Sequence, residues 1–142
     1  LDLLGRKVTQ RGGASLAALG DAVAATVATA NAAAGEAAEL AAQLDATWQR
    51  LVAVTTAMFG SGDVEAALAN SAVYLEAFGH IVVAWMWLEQ LLAANGRTGD
   101  FYDGKRQAAR YFFRYELPKT APQLDLLESL DRTTLDMRDG WF

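Results

Sequence analysis

Cysteine is absent and histidine occurs once, so disulfides and thiolate chemistry are excluded and only one imidazole is on offer. Proline occurs twice, at Pro118 and Pro122, and runs of β-branched residues are few. No glycine-rich phosphate loop opens a helix after a strand, and a Ser/His/Asp set has almost no histidine to draw on. The longest apolar run, Ile81 to Leu88, falls far short of the roughly 18 to 20 residues needed to span a bilayer. Glu76 and Glu89 bracket it, so no membrane span is expected. The opening "LDLLGRKVTQRGG" has no sustained apolar stretch of the kind a signal peptide needs. Leu1 stands where an initiator Met would, and all three methionines are internal, so the expectation is a piece of a larger polypeptide.

Hydrophobic residues make up 53% of the 142 and charged ones 20%, which suits a single packed domain rather than a disordered chain. The net charge of −5 repels phosphate backbones, so nucleic acid is not an expected partner. Alanine, the strongest helix former, is very abundant. The spacing predicts helices over about Ala14–Ala33, Glu36–Phe59, Val64–Ala94 and Phe101–Leu117. Asp63 and Asp100 are the expected N-caps of the third and fourth, and Pro118 the expected stop. Thr120 with Gln123 has capping-box spacing for a short fifth helix. The fold expected is all-α: an antiparallel four-helix-bundle-like domain over residues 14–142, with a short extra helix and a C-terminal tail. Residues 1–13 read as the end of an earlier helix and a linker.

The first helix should bury Leu16, Leu19, Val23 and Val27, and the second Leu40, Leu44, Trp48, Leu51, Thr55 and Met58. The stretch "FGHIVVAWMWLEQLL" is harder, because its apolar residues run all round a helix. Taken as one helix of about 45 Å, the third gathers Val64, Ala67, Ser71, Tyr74, Leu75, Phe78, Val82, Trp85 and Leu92 on a core face. Val83, Trp87 and Leu91 then form a second apolar face beside His80. That face is either buried centrally or docks on another domain or subunit.

His80 follows Glu76 by four residues, once, whereas a di-iron bundle needs Glu-x-x-His on two helices; no metal centre is expected. In the fourth helix Phe101, Tyr102, Ala108, Ala109, Phe112 and Phe113 should face inward. Arg106, Arg110 and Arg114 line the other side with Asp103, a solvated stripe or an anion site such as one for a CoA phosphate. Glu89, Lys105 and Glu116 fall inside apolar arcs, and a partly buried charge cluster linking the third and fourth helices is expected from them.

Four segments, "LDLLGRKV", "NSAVYLEAFGHIVVAWMWLEQ", "FYDGKRQAARYFFRYELP" and "SLDRTTLDMRDGWF", stand in an order that resembles the C-terminal helical domain of bacterial acyl-CoA dehydrogenases. The subgroup is the one that includes the 3-methylmercaptopropionyl-CoA dehydrogenases. The resemblance covers essentially the whole chain. It implies a non-catalytic accessory domain, packed on the catalytic core of the same polypeptide or on a subunit of a homo-oligomer. The parent enzyme would remove two hydrogens across the α,β carbons of an acyl-CoA, with a carboxylate taking the α-proton and FAD the β-hydride. Base and flavin contacts would lie upstream, so no catalytic or cofactor-binding residue is expected here and the chain alone should be inactive. The parent enzyme is expected in the cytoplasm.

Overall fold

A computed structural model describes residues 13–142 of the chain; the helix end and linker expected over residues 1–13 lie outside it, apart from Gly13. Two long helices, α1 (Gly13–Ala33) and α2 (Gly35–Gly60), are joined by a single residue. A short α3 (Val64–Ala69) leads into α4 (Ser71–Ala93), followed by α5 (Asp100–Tyr111). A π-helical turn (Phe112–Glu116) and a 3-10 turn (Leu117–Lys119) then pass into α6 (Thr120–Glu128), and a last 3-10 turn covers Asp139–Trp141. Among the described residues there is no strand, and the all-α expectation stands.

The best-formed line of core residues is on α2, where Leu40, Ala41, Leu44, Trp48, Leu51, Val54, Thr55 and Met58 are all buried. Glu39, Asp45 and Gln49 face away, so hydrophobic burial fixes this helix's rotation. Each fully buried Leu contributes about 1.5 to 3 kcal/mol, against about 0.2 to 1 for an exposed ion pair, so the line outweighs the surface charges. α1 lies against α2 with Val23, Thr26 and Ala30 buried, and with Leu16, Leu19 and Val27 packed at the core's edge. Gly20 permits that approach: a Cβ there would sit 3.4 Å from the Trp48 indole. The connection is tight, with Ala34 at φ 58° and Gly35 at φ 60°.

The third expected helix is two helices. Asn70 departs from helical geometry at φ −112°, ψ 27°, and its side-chain Nδ2 donates to the carbonyl of Asp131, 2.8 Å away. The tail after α6 thus returns to the break, and Arg132 pairs with Asp63, at the other end of α3, at 3.0 Å. Asp63 caps α3 as expected, accepting from the Ala66 N–H at 3.1 Å. Two other expected caps differ. Asp100 is the first helical residue of α5 after Gly99, and the Thr120 hydroxyl donates to the Leu117 carbonyl instead of capping α6.

Pro118 does not stop the chain's helical course. It has no N–H to donate and its ring would crowd the carbonyl four residues back, so the preceding turn widens. That widening buries Phe113 and Leu117 and lets α6 pack on α2 and α4.

α4 is the hub, meeting α1, α2, α5 and α6. Its buried line is Tyr74, Ala77, Ile81, Ala84, Leu88 and Leu91, spaced alternately three and four. This corrects the expected core face: Ala67, Ser71 and Tyr74 are buried, Phe78, Trp85 and Leu92 sit at the edge, and Val64 and Leu75 are exposed. The buried positions Ala67, Ser71 and Tyr74 keep helical spacing across the break, and the departure comes further along α4, where apolar residues lie on every side and leave the wheel unanchored. α1 and α4 are both long and apolar enough by composition to cross a membrane, each with mean hydropathy 1.3. In α4 that hydropathy includes the core line; in α1 much of it is alanine.

Candidate functional site

Turning α4 by 100° per residue sets Leu75, Gly79, Val83 and Met86 opposite the buried line. Leu75 is 54% exposed, Val83 38% and Met86 55%, so an apolar strip runs along the solvent side of the hub helix. The sequence pointed to such a face but placed it one step round. Of the three residues expected there, Val83 is on the strip and Trp87 at its edge, half-buried, while Leu91 is 7% exposed inside the bundle. Leu75 and Met86 were missed. With apolar residues on every side of α4, the spacing carries no signal that singles them out.

The cluster expected from Glu89, Lys105 and Glu116 does not form; the three side chains go to three different places. Glu89 reaches across to α1, where its Oε1 accepts from the Thr26 hydroxyl at 2.5 Å. That hydroxyl in turn accepts from the Trp85 indole N–H at 2.7 Å, so one buried threonine ties α1 to α4. Glu116 lies 2.8 Å from the Lys119 ammonium and 3.7 Å from His80 Nε2. The hydrogen bond from Lys119, then the charges of Lys119 and His80, hold its carboxyl below the ordinary glutamate value against partial desolvation. The His80 ring stands 6.0 Å from that of Phe112, in the π turn.

Lys105 has aromatic rather than acidic neighbours. Its ammonium is 5.8 Å from the centroid of Trp87 and 5.5 Å from that of Phe101. Cation–π attraction of about 0.5 to 2 kcal/mol accounts for that position. Among the described residues Lys105 has no ion-pair partner. Phe101, expected inside, is instead 69% exposed beside it.

The arginine stripe is largely occupied by the fold itself. The Arg106 guanidinium donates to the carbonyls of Ala94 and Arg97, closing the C-terminal end of α4, and pairs with Asp103 at 2.8 Å. Arg110 donates through Nε to Glu36 at 2.6 Å, and this bond raises its pKa above the ordinary arginine value. Arg114 alone of the three has no ion-pair partner among the described residues, and it lies between the stacked, exposed rings of Tyr111 and Tyr115 in sequence. A groove of about 330 Å³ between α2 and α6 is floored by Phe113, Leu117 and Leu124. Arg50 at its rim is already bound to Asp125 and Glu128. Among the described residues no cluster of three or more His, Asp or Glu side chains is placed to hold a metal ion. The arrangement is one of helix-to-helix ties around an uncovered apolar strip.

No curated protein sequence and no solved structure matches the chain. One family does, that described as acetyl-CoA dehydrogenase C-terminal like, over residues 16–138. That span runs from the first turn of α1 through α6 into the tail, and the chain belongs to this family of acyl-CoA dehydrogenase C-terminal domains.

Proposed function

We propose that the chain is the non-catalytic accessory domain of an FAD-dependent acyl-CoA dehydrogenase. The α,β-dehydrogenation of the acyl-CoA thioester would take place on a catalytic core to which this bundle belongs, in the cytoplasm. FAD would be held by that core. The bundle would serve packing, assembly or the shaping of the substrate cleft, docking on the core or on a neighbouring subunit. The four resembling segments favour the bacterial subgroup that includes 3-methylmercaptopropionyl-CoA dehydrogenase.

The observation that carries this reading is the contrast between the two candidate surfaces. The charged one is used internally, with Arg106 on backbone carbonyls and Arg110 on Glu36. The apolar one, on α4, is open. A CoA-binding role through Arg106, Arg110 and Arg114 would need at least two of these to leave existing partners, and Arg114 is the one cation in favour of it. Calorimetry with CoA decides. The accessory reading expects no saturable heat up to about 1 mM ligand. Heat that disappears in Arg114→Glu would establish the binding role instead.

A further inference from the structure

The solvent side of α4 has an internal symmetry. Leu75 and Met86 lie along one edge of the strip, Glu76 and Trp87 along the other, with Gly79 and Val83 between them. Within each edge the two residues are 11 apart, close to three turns or about 16 Å. Turning the helix end for end about a point level with Ile81 therefore exchanges the members of each edge.

We propose that a second copy of this chain docks on this face, the two α4 helices running antiparallel about a two-fold axis level with Ile81. Such an isologous contact requires a self-complementary patch, and the strip meets that requirement in three ways. Leu75 of one copy faces Met86 of the other, which covers two side chains that are 54% and 55% exposed in the single chain. Gly79 faces Val83 near the axis, and the missing side chain lets the helices approach closely; a Cβ on Gly79 would meet nothing within 4 Å in the single bundle. Glu76 faces Trp87 and the Lys105 ammonium above it.

The last match is what selects a second copy over any other occupant. In a chain where acidic residues outnumber basic ones 17 to 12, Lys105 has no carboxylate within ion-pair distance among the described residues. Glu76 is exposed and likewise makes no ion pair among them. Lys119, a cation that feels the Glu76 charge, is already bound to Glu116. Two-fold pairing brings Glu76 to Lys105 twice, once at each end of the contact. The inference deepens the accessory-domain reading and rests on it for the expectation that this face has a partner.

The test is sedimentation equilibrium of the chain with four variants: Met86→Asp, Glu76→Lys, Lys105→Glu, and the last two combined. Far-UV circular dichroism first establishes that each is folded. A wild-type dimer is expected, weakened about tenfold or more by Met86→Asp and by either single charge reversal, since like charges then face each other. The combined reversal should restore the affinity to within about threefold, because it exchanges the two charges across the axis. A chain that is monomeric at all concentrations, or a dimer indifferent to Met86→Asp, overturns the proposal. A monomer that instead binds a dehydrogenase core through this face overturns it too, while leaving the accessory-domain reading intact. CoA binding would sink that reading without touching the dimer.

Discussion

The two sides of α4 are both apolar, yet they differ in composition and in effect. The inner line alternates large and small residues through Tyr74, Ala77, Ile81, Ala84 and Leu88, ends on a second leucine, Leu91, and every member is buried. Alternation of that kind lets neighbouring helices come close while the large residues fill the gaps between them. The outer strip keeps Leu75, Val83 and Met86 in solvent around Gly79. Between them run two polar seams, Thr26–Glu89–Trp85 toward α1 and His80–Glu116–Lys119 toward the π turn. The lesson is that hydropathy alone does not say which apolar residues hold a fold. Partners on the neighbouring helices do.

Four substitutions sharpen this contrast. Ile81→Ala, on the inner line at 0% exposure, should destabilise the chain by about 2 to 5 kcal/mol in urea denaturation, the loss expected where a cavity is left. Next comes the α1 seam. Thr26→Val keeps the shape but leaves the Trp85 N–H and the Glu89 carboxylate without their shared hydroxyl. A loss of about 1 to 3 kcal/mol is expected, with a shift in tryptophan emission. The other seam is smaller and depends on pH. Glu116 has a lowered folded pKa, so its contribution is fully present above the ordinary value of 4.5 and is lost as pH falls through the folded value. Melting temperatures of wild type and Glu116→Gln should therefore differ near neutrality and converge in acid. Least affected is the outer strip: Met86→Ala should change the stability of the single chain by no more than about 0.5 kcal/mol. A cost for Met86→Ala in dilute chain comparable to that of Ile81→Ala would erase the contrast.

How much of this could be read from the residues depended on whether polarity marked a helix's far side. On α2 it did, and Leu40, Leu44, Trp48, Leu51, Thr55 and Met58 are all buried as expected. On α4 apolar residues lie on every side and leave the wheel unanchored, so Leu91 and Leu75 were assigned to each other's sides. Pro118 was read by its local rule as a stop, whereas tertiary packing of Phe113 and Leu117 carries the chain through a π turn. The partners of Glu89, Lys105 and Glu116 were not legible at all. Long charged side chains choose among neighbours on other helices, and sequence spacing along one helix does not contain that choice. The arginine stripe was placed correctly in sequence, but its ties to Glu36 and to the end of α4 appear only in three dimensions.

The central claim is that one side of α4 holds the bundle and the other meets its own copy. Because the chain has no cysteine, single thiols report on that contact cleanly. Gly79→Cys and Val83→Cys chains, mixed in equal amounts under mild oxidation, should form the mixed disulfide faster than either chain forms a disulfide with itself, since antiparallel pairing sets position 79 opposite position 83. Equal rates for all three products, matching a control thiol at the exposed Thr56 of α2, would contradict it.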